Sequence, residues 1–337
     1  YVNSSNEVTI SEQLEARLAQ RIAQQKSSPN LYQPDVLPYD EDNVKKALAK
    51  YPKLKSGNYR VINAGVPGYA SGNELAQVAL SVLPYKPDLI IILDGYMDLM
   101  LASEEKATEI PQLEQLLEDR STGFRQYLSQ LIQPLRNYSH VVRIIQDYAL
   151  VPNSDENEDT WLFARQLDSL AQNLPEDEAE LERRVQRYFQ HHKQIVSLSA
   201  GAHIPLILAS QPEFTGRDAS QLSEAEGEIA TQLGRDYIQT VKNTYPQFIA
   251  ANQKLGKIFP YNVKAISLYN LTDKYPTPSF IDAVHLTDEA NKVVAQQLYY
   301  AISSLPKMKQ VPRNPPPKPK PQPQPKSTTK PTVKPES

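Results

Sequence analysis

Short apolar runs punctuate an otherwise amphipathic chain. Asp88-Leu89-Ile90-Ile91-Ile92-Leu93 and Ile204-Pro205-Leu206-Ile207-Leu208-Ala209 have the length and β-branched content of strands buried on both faces. Val263–Leu268 and Tyr59–Asn63 read as two more strands, the latter running into the glycine-rich turn Ala64–Gly72. Other stretches carry the helical period. Thr9-Ile10-Ser11-Glu12 has the form of a capping box, and Leu14, Leu18 and Ile22 then fall on one helix face. Glu74–Leu83 and Ala225–Tyr245 read as helices. A closing helix follows Thr287, its expected N-cap, with Val293, Val294, Leu298 and Tyr299 at helical spacing. From Leu99 to about Ser199 the pattern is mainly helical, clearest over Phe124–Leu135 and Glu178–Leu198, with the acidic stretch Asn153–Asp159 as a loop. Ser27–Asn58 reads as a loop with a short helix near Val44–Leu48.

Strands alternating with helices predict an α/β fold of three layers: an open parallel sheet covered by helices on both sides. In such sheets the site lies beyond the carboxyl ends of the strands. Gly68, Asp98, Gln211 and His285 each follow a predicted strand, so the topology brings them toward one edge. Asp282-Ala283-Val284-His285 carries the chemistry. A carboxylate three residues before an imidazole can fix its tautomer and stabilise the imidazolium formed in acyl transfer. The same spacing also occurs in structural turns.

Composition narrows the partners. The 337 residues include no cysteine, which excludes disulfides, thiol nucleophiles and cysteine-bound zinc. No cofactor or metal site is expected, and the adjacent His191 and His192 read as surface residues on two sides of a helix. The formal charge of −3 hides an asymmetry. Pro306–Ser337 carries +7 and 11 of the 28 prolines, leaving −10 for the rest. This segment is expected to be an extended, disordered basic tail, able to meet an anionic surface or polymer. The domain proper is then 1–305, with 99–199 as a helical insertion. The acidic body argues against nucleic-acid binding. No apolar run is long enough to span a membrane and no signal pattern is present; a segment upstream of Tyr1 could hold either, so localisation stays open. The glycines of Gly65–Gly72 do not fit a dinucleotide fingerprint, and no phosphate-binding lysine follows them.

Three motifs in order resemble the SGNH hydrolases, also called GDSL-type esterases and lipases. Asn63-Ala64-Gly65-Val66-Pro67-Gly68 is similar to the family's second motif, Gly95-Tyr96-Met97-Asp98 to its third, Gly-x-Asn-Asp, and Asp282-Ala283-Val284-His285 to its last. The resemblance covers Tyr1 to about Leu305. It implies His285 as general base, Asp282 as its orienting partner and Gly68 as a backbone oxyanion donor. Read from their own positions, Asp98 is expected to brace its loop by local hydrogen bonds, and Gln211, where a strand opens into a loop, to contact substrate. The resemblance implies hydrolysis of a small-molecule or polysaccharide ester without a cofactor. Two positions depart from it. Met97 stands where the family has the asparagine that donates a second hydrogen bond to the oxyanion, and a thioether cannot donate. The family's nucleophilic serine ends a first strand, and none precedes the Thr9 helix. Tyr1–Asn6 resembles the stretch after that serine, so the strand and nucleophile are expected upstream of Tyr1, with Ser4 and Ser5 as the local substitutes. The alternative reading is a catalytically dead relative that binds a glycan or acyl ligand in the same cleft.

Overall fold

A computed structural model describes residues 9–66, 68–103, 167–273 and 278–316. The expected helix Phe124–Leu135, the loop Asn153–Asp159, most of the helical insertion, and Ser4 and Ser5 lie outside them. The chain divides into two compact units, residues 1–23 with 54–309 and residues 24–53 with 310–337.

The larger unit is built on three parallel strands, β1 (Ile90–Asp94), β2 (Leu206–Ser210) and β3 (Val263–Ser267), in that spatial order. Ile90, Leu206 and Val263 lie in register at one end, and Asp94, Ser210 and Ser267 at the other. All five residues of the central β2 are buried. Alternation along β2 sends Leu206 and Leu208 to one face and Ile207 and Ala209 to the other. The first face packs against Leu75 of α3 (Ser71–Gln77), Ile195 and Leu198 of α5 (Glu178–Gly201) and Leu255 of α6 (Glu224–Ile258). The second face meets Leu14, Leu18 and Ile22 of α1 (Ile10–Ser27) and Val294, Leu298 and Ile302 of α7 (Asp288–Ser304). These are the three layers that the apolar runs predict. A third cluster gathers Tyr96 and Leu99 of α4 (Tyr96–Met100) with Phe214, Tyr237, Tyr245, Phe248, Phe280 and Ala283 at the carboxyl end of the sheet.

Local chemistry sets the helix starts. Asp177 accepts from the Glu180 N–H at α5, and Ser223 and Glu226 form a reciprocal capping box at α6. Thr287 Oγ1 accepts from the Ala290 N–H, the cap expected for α7. Two expected bounds shift. α6 runs to Ile258, past Pro246, with non-helical geometry at Gly234. α3 begins at Ser71 and passes at Val78 into a π-turn that ends at Val82.

Tyr59–Asn63 is not a strand. Its burial still alternates, with Tyr59 and Val61 half-buried and Ile62 79% exposed. The Val61 N–H, however, donates to Glu15 Oε2 at 2.7 Å instead of to a ladder carbonyl. A strand needs a neighbour for its backbone groups, and the described residues supply none here.

In the smaller unit, α2 (Glu41–Leu48) starts at Asp40, which accepts from the Asn43 N–H. Asp35 organises the rest: its carboxylate receives Lys53 Nζ at 2.6 Å and Gln310 Nε2 at 2.9 Å, and its carbonyl accepts from the Arg313 N–H. The expected tail therefore starts later than Pro306. Pro306–Met308, which belongs to the larger unit, forms a 3₁₀ turn; within the smaller unit the Gln310 and Arg313 N–H groups find carbonyl partners at Lys53 and Asp35.

Candidate active site

Three strand ends build the site. The Gln211 N–H donates to the Asp94 carbonyl and the Leu268 N–H to that of Ser210, carrying the sheet pattern one residue past the strands. Beyond β2, the Phe214 N–H donates to the Ala283 carbonyl at 2.8 Å. This bond draws the loop after β2 against the Asp282–His285 loop.

The pair at Asp282 and His285 is formed. His285 Nδ1 lies 2.6 Å from Asp282 Oδ2. Asp282 Oδ1 accepts the backbone N–H groups of His285 at 2.7 Å and Val284 at 2.9 Å. The carboxylate is thus fixed by its own turn, and its second oxygen faces the ring. This geometry puts the proton on Nδ1 and leaves the Nε2 lone pair to accept another. Burial alone raises the Asp282 carboxyl, but the His285 imidazole and the two backbone donors outweigh it and hold it below the usual carboxylate range. The His285 side chain is 30% exposed and that of Asp282 12%, which gives the imidazole access to solvent and its partner little. Ile281 (51% exposed) flanks the pair with an apolar surface. Among the described residues, no serine hydroxyl hydrogen-bonds to His285.

The other expected residues fall into place to different degrees. Met97 is half-buried and packs against the cluster that holds Tyr96, Phe280 and Ala283, beside the Asp282 loop. Gly95 before it has φ +125, and a Cβ there would stand 2.9 Å from Tyr245 Oη. Asp98 is buried and braces a distant segment. It accepts from Ser71 twice, from the backbone N–H at 2.8 Å and the hydroxyl at 2.5 Å. That link ties α3, just after Gly68, to α4, just beyond β1. Gly68 is exposed with φ +79, the left-handed conformation a glycine accepts without strain. No hydrogen bond joins Gly68 to Asp282 or His285 among the described residues. Gln211 acts through its backbone, its carbonyl accepting from Tyr245 Oη at 3.2 Å.

Behind these residues lies a buried polar network that the sequence pattern does not announce. His191 and His192 are both buried, so the surface reading of them is wrong. α5 is covered on two sides, by α3 and α4 and by α6, and neither ring reaches water. His191 Nδ1 bonds to Ser71 Oγ at 2.8 Å, and burial, with Arg187 nearby, lowers its pKa to about 4. His192 sits between Asn252 Oδ1 at 2.7 Å and Asp94 Oδ2 at 2.9 Å. Burial pushes His192 down, but the Asp94 carboxylate prevails and raises it. Burial, then the neighbouring Asp94, raises Asp98 to about 6 and Glu74 well above the usual range. Glu74, Asp94 and His192 each present one ligand atom, all within 4.8 Å of one another. A second hub is Glu213, which accepts from Tyr237 Oη at 2.9 Å and from the N–H and hydroxyl of Thr215. Burial raises Glu213 to about 7 against those donors. Both Asp94 and Glu213 sit at or just past the end of an apolar run. A carboxylate placed there was the one available signal.

No curated protein and no solved structure matches the chain. A family model described as GDSL-like lipase/acylhydrolase matches residues 37–298. That span takes in the turn at Gly68, the loop at Gly95–Asp98 and the Asp282–His285 pair, and exceeds half of the 337 residues. On that match the chain belongs to the GDSL-like lipase/acylhydrolase family.

Proposed function

We propose that this site serves a serine ester hydrolase working through an acyl-enzyme. The observation that carries the reading is the Asp282–His285 geometry: an anchored carboxylate holds Nδ1 and leaves Nε2 as base. In this reading His285 takes the proton of a serine hydroxyl as its oxygen attacks the ester carbonyl. The imidazolium, stabilised by Asp282, then returns the proton to the departing alcohol. Water repeats the sequence on the acyl-enzyme. Gly68 contributes a backbone N–H to the tetrahedral oxyanion. No serine hydroxyl among the described residues bonds to His285, and the family resemblance puts the nucleophile at the end of a strand ahead of the Thr9 helix. We therefore expect the 337-residue chain to neither hydrolyse p-nitrophenyl acetate nor take a fluorophosphonate label. A form extended by the coding sequence upstream of Tyr1 should do both, and His285→Ala should abolish turnover. Hydrolysis that survives His285→Ala in either form would remove the pair from the mechanism. A label mapping to Ser4 or Ser5 would reassign the nucleophile to those residues.

A second reading rests on Met97. With a thioether in place of an amide, the oxyanion loses a donor worth about 10²–10³ in rate. A relative that has given up turnover and binds an acylated glycan in the same cleft fits that substitution. Saturable binding of an acetylated oligosaccharide by the extended form, without hydrolysis, would favour it.

A further inference from the structure

The surroundings of His192 settle which of its nitrogens carries the first proton. Tyr188 Oη donates to Asp94 Oδ1 at 2.9 Å, so its oxygen is free to accept from Asn252 Nδ2 at 2.7 Å. That contact orients the Asn252 amide and leaves its Oδ1 facing His192 Nδ1. Oδ1 can only accept, so Nδ1 carries the proton. The Nε2 lone pair of the neutral ring then faces Asp94 Oδ2, an acceptor, at 2.9 Å. Glu74 Oε2 is also buried with no N–H or O–H donor reaching it, and a hydrogen bond between the Glu74 and Asp94 carboxyl groups requires an added proton. Three acceptor atoms from α3, β1 and α5 thus approach within 4.8 Å of one another. Such an arrangement needs either extra protons or a cation at its centre.

We propose that Glu74, Asp94 and His192 bind a divalent transition-metal ion of the Zn²⁺ or Mn²⁺ class. At metal–ligand bonds of about 2.1 Å, neighbouring ligands of a four- to six-coordinate ion lie about 3.0–3.4 Å apart, which the Asp94–His192 separation already approaches. The imidazole selects against Ca²⁺ and Mg²⁺, which take oxygen ligands. The surroundings are those of a metal-bound histidine. A ligating ring donates its other N–H to a carbonyl or carboxylate, here the Asn252 amide, and a ligating carboxylate is itself hydrogen-bonded, here by Tyr188. The ion would pin α3 to β1 and α5 from behind the Gly68 turn. The site is independent of the ester-hydrolase reading, because none of its ligands belongs to the Asp282–His285 pair.

The test uses the 337-residue protein, stripped with EDTA and titrated calorimetrically with Zn²⁺, Mn²⁺ and Mg²⁺, with metal content read by mass spectrometry. The expected result is one equivalent of Zn²⁺ or Mn²⁺ per chain and no binding of Mg²⁺. Glu74→Gln, which keeps the side-chain shape, should weaken binding at least tenfold while circular dichroism shows the fold retained. His285→Ala should leave binding unchanged. Failure of both transition ions to bind would overturn the proposal, leaving protons to fill the cluster. So would a Glu74→Gln protein that binds as tightly as the parent, or an equivalent of metal lost with His285→Ala.

Discussion

Asp282 divides two tasks between its two oxygens. Oδ1 holds the backbone of its own turn through the N–H groups of Val284 and His285, while Oδ2 holds the imidazole. Asparagine can keep the first task and fails at the second. Its amide would donate toward Nδ1, forcing the ring proton onto Nε2, where the base is needed. In a catalytically competent form, Asp282→Asn should lower kcat by about 10⁴ with little change in Tm. A comparable fall in Tm would mark the pair as a structural turn. Met97 makes the opposite prediction. It is half-buried beside the Asp282 loop, and an asparagine there restores an amide donor. Met97→Asn should raise kcat by as much as about 10²–10³ if its side chain faces the oxyanion. No gain in steady-state kinetics would place Met97 in the packing alone. Asp282 and His285 were legible because they are three residues apart. His192 and Asp94 are 98 apart, and Glu213 and Tyr237 belong to different elements, so nothing in local spacing announced either contact.

At the scale of elements, each buried apolar run became a strand because it had a neighbour in register. Tyr59–Asn63 shows the converse: alternation alone does not make a strand when the described residues offer no partner for its backbone. The long α6 was underestimated for a different reason. A proline removes one backbone donor, which argues for a helix end at Tyr245. Packing outweighs that loss here, because Tyr245 and Phe248 on either side of Pro246 are both buried in the aromatic cluster. The loop after β1 depends on the same cluster. Gly95 combines a positive φ with close approach to Tyr245 Oη. Gly95→Ala should therefore cost about 1–3 kcal/mol in urea unfolding, from backbone strain and displacement of the tyrosine. A loss within a few tenths would show that Tyr245 yields freely.

For the whole molecule, the layering was readable because it follows from burial, which leaves a periodic trace; the buried polar interior leaves none. Its consequence is a stability that depends on pH through groups far from the surface. Glu213 is the clearest case. It is wholly buried, and its pKa is raised from 4.5 to about 7. Between those values the folded protein keeps a proton that the unfolded chain has released. The Glu213 contribution to stability is then full below about pH 4.5 and is lost as pH rises through 7, by on the order of 3 kcal/mol. The substitution Glu213→Gln keeps the shape of the neutral acid: the new amide oxygen can accept from Thr215, and the NH₂ can donate to Tyr237. The variant should lack that loss. Urea unfolding at about pH 5 and pH 8 should find the variant gaining on the parent by most of that amount across the interval. Parallel stability curves would mean that Glu213 stays ionised in the fold, with its Thr215 and Tyr237 donors strong enough to offset burial.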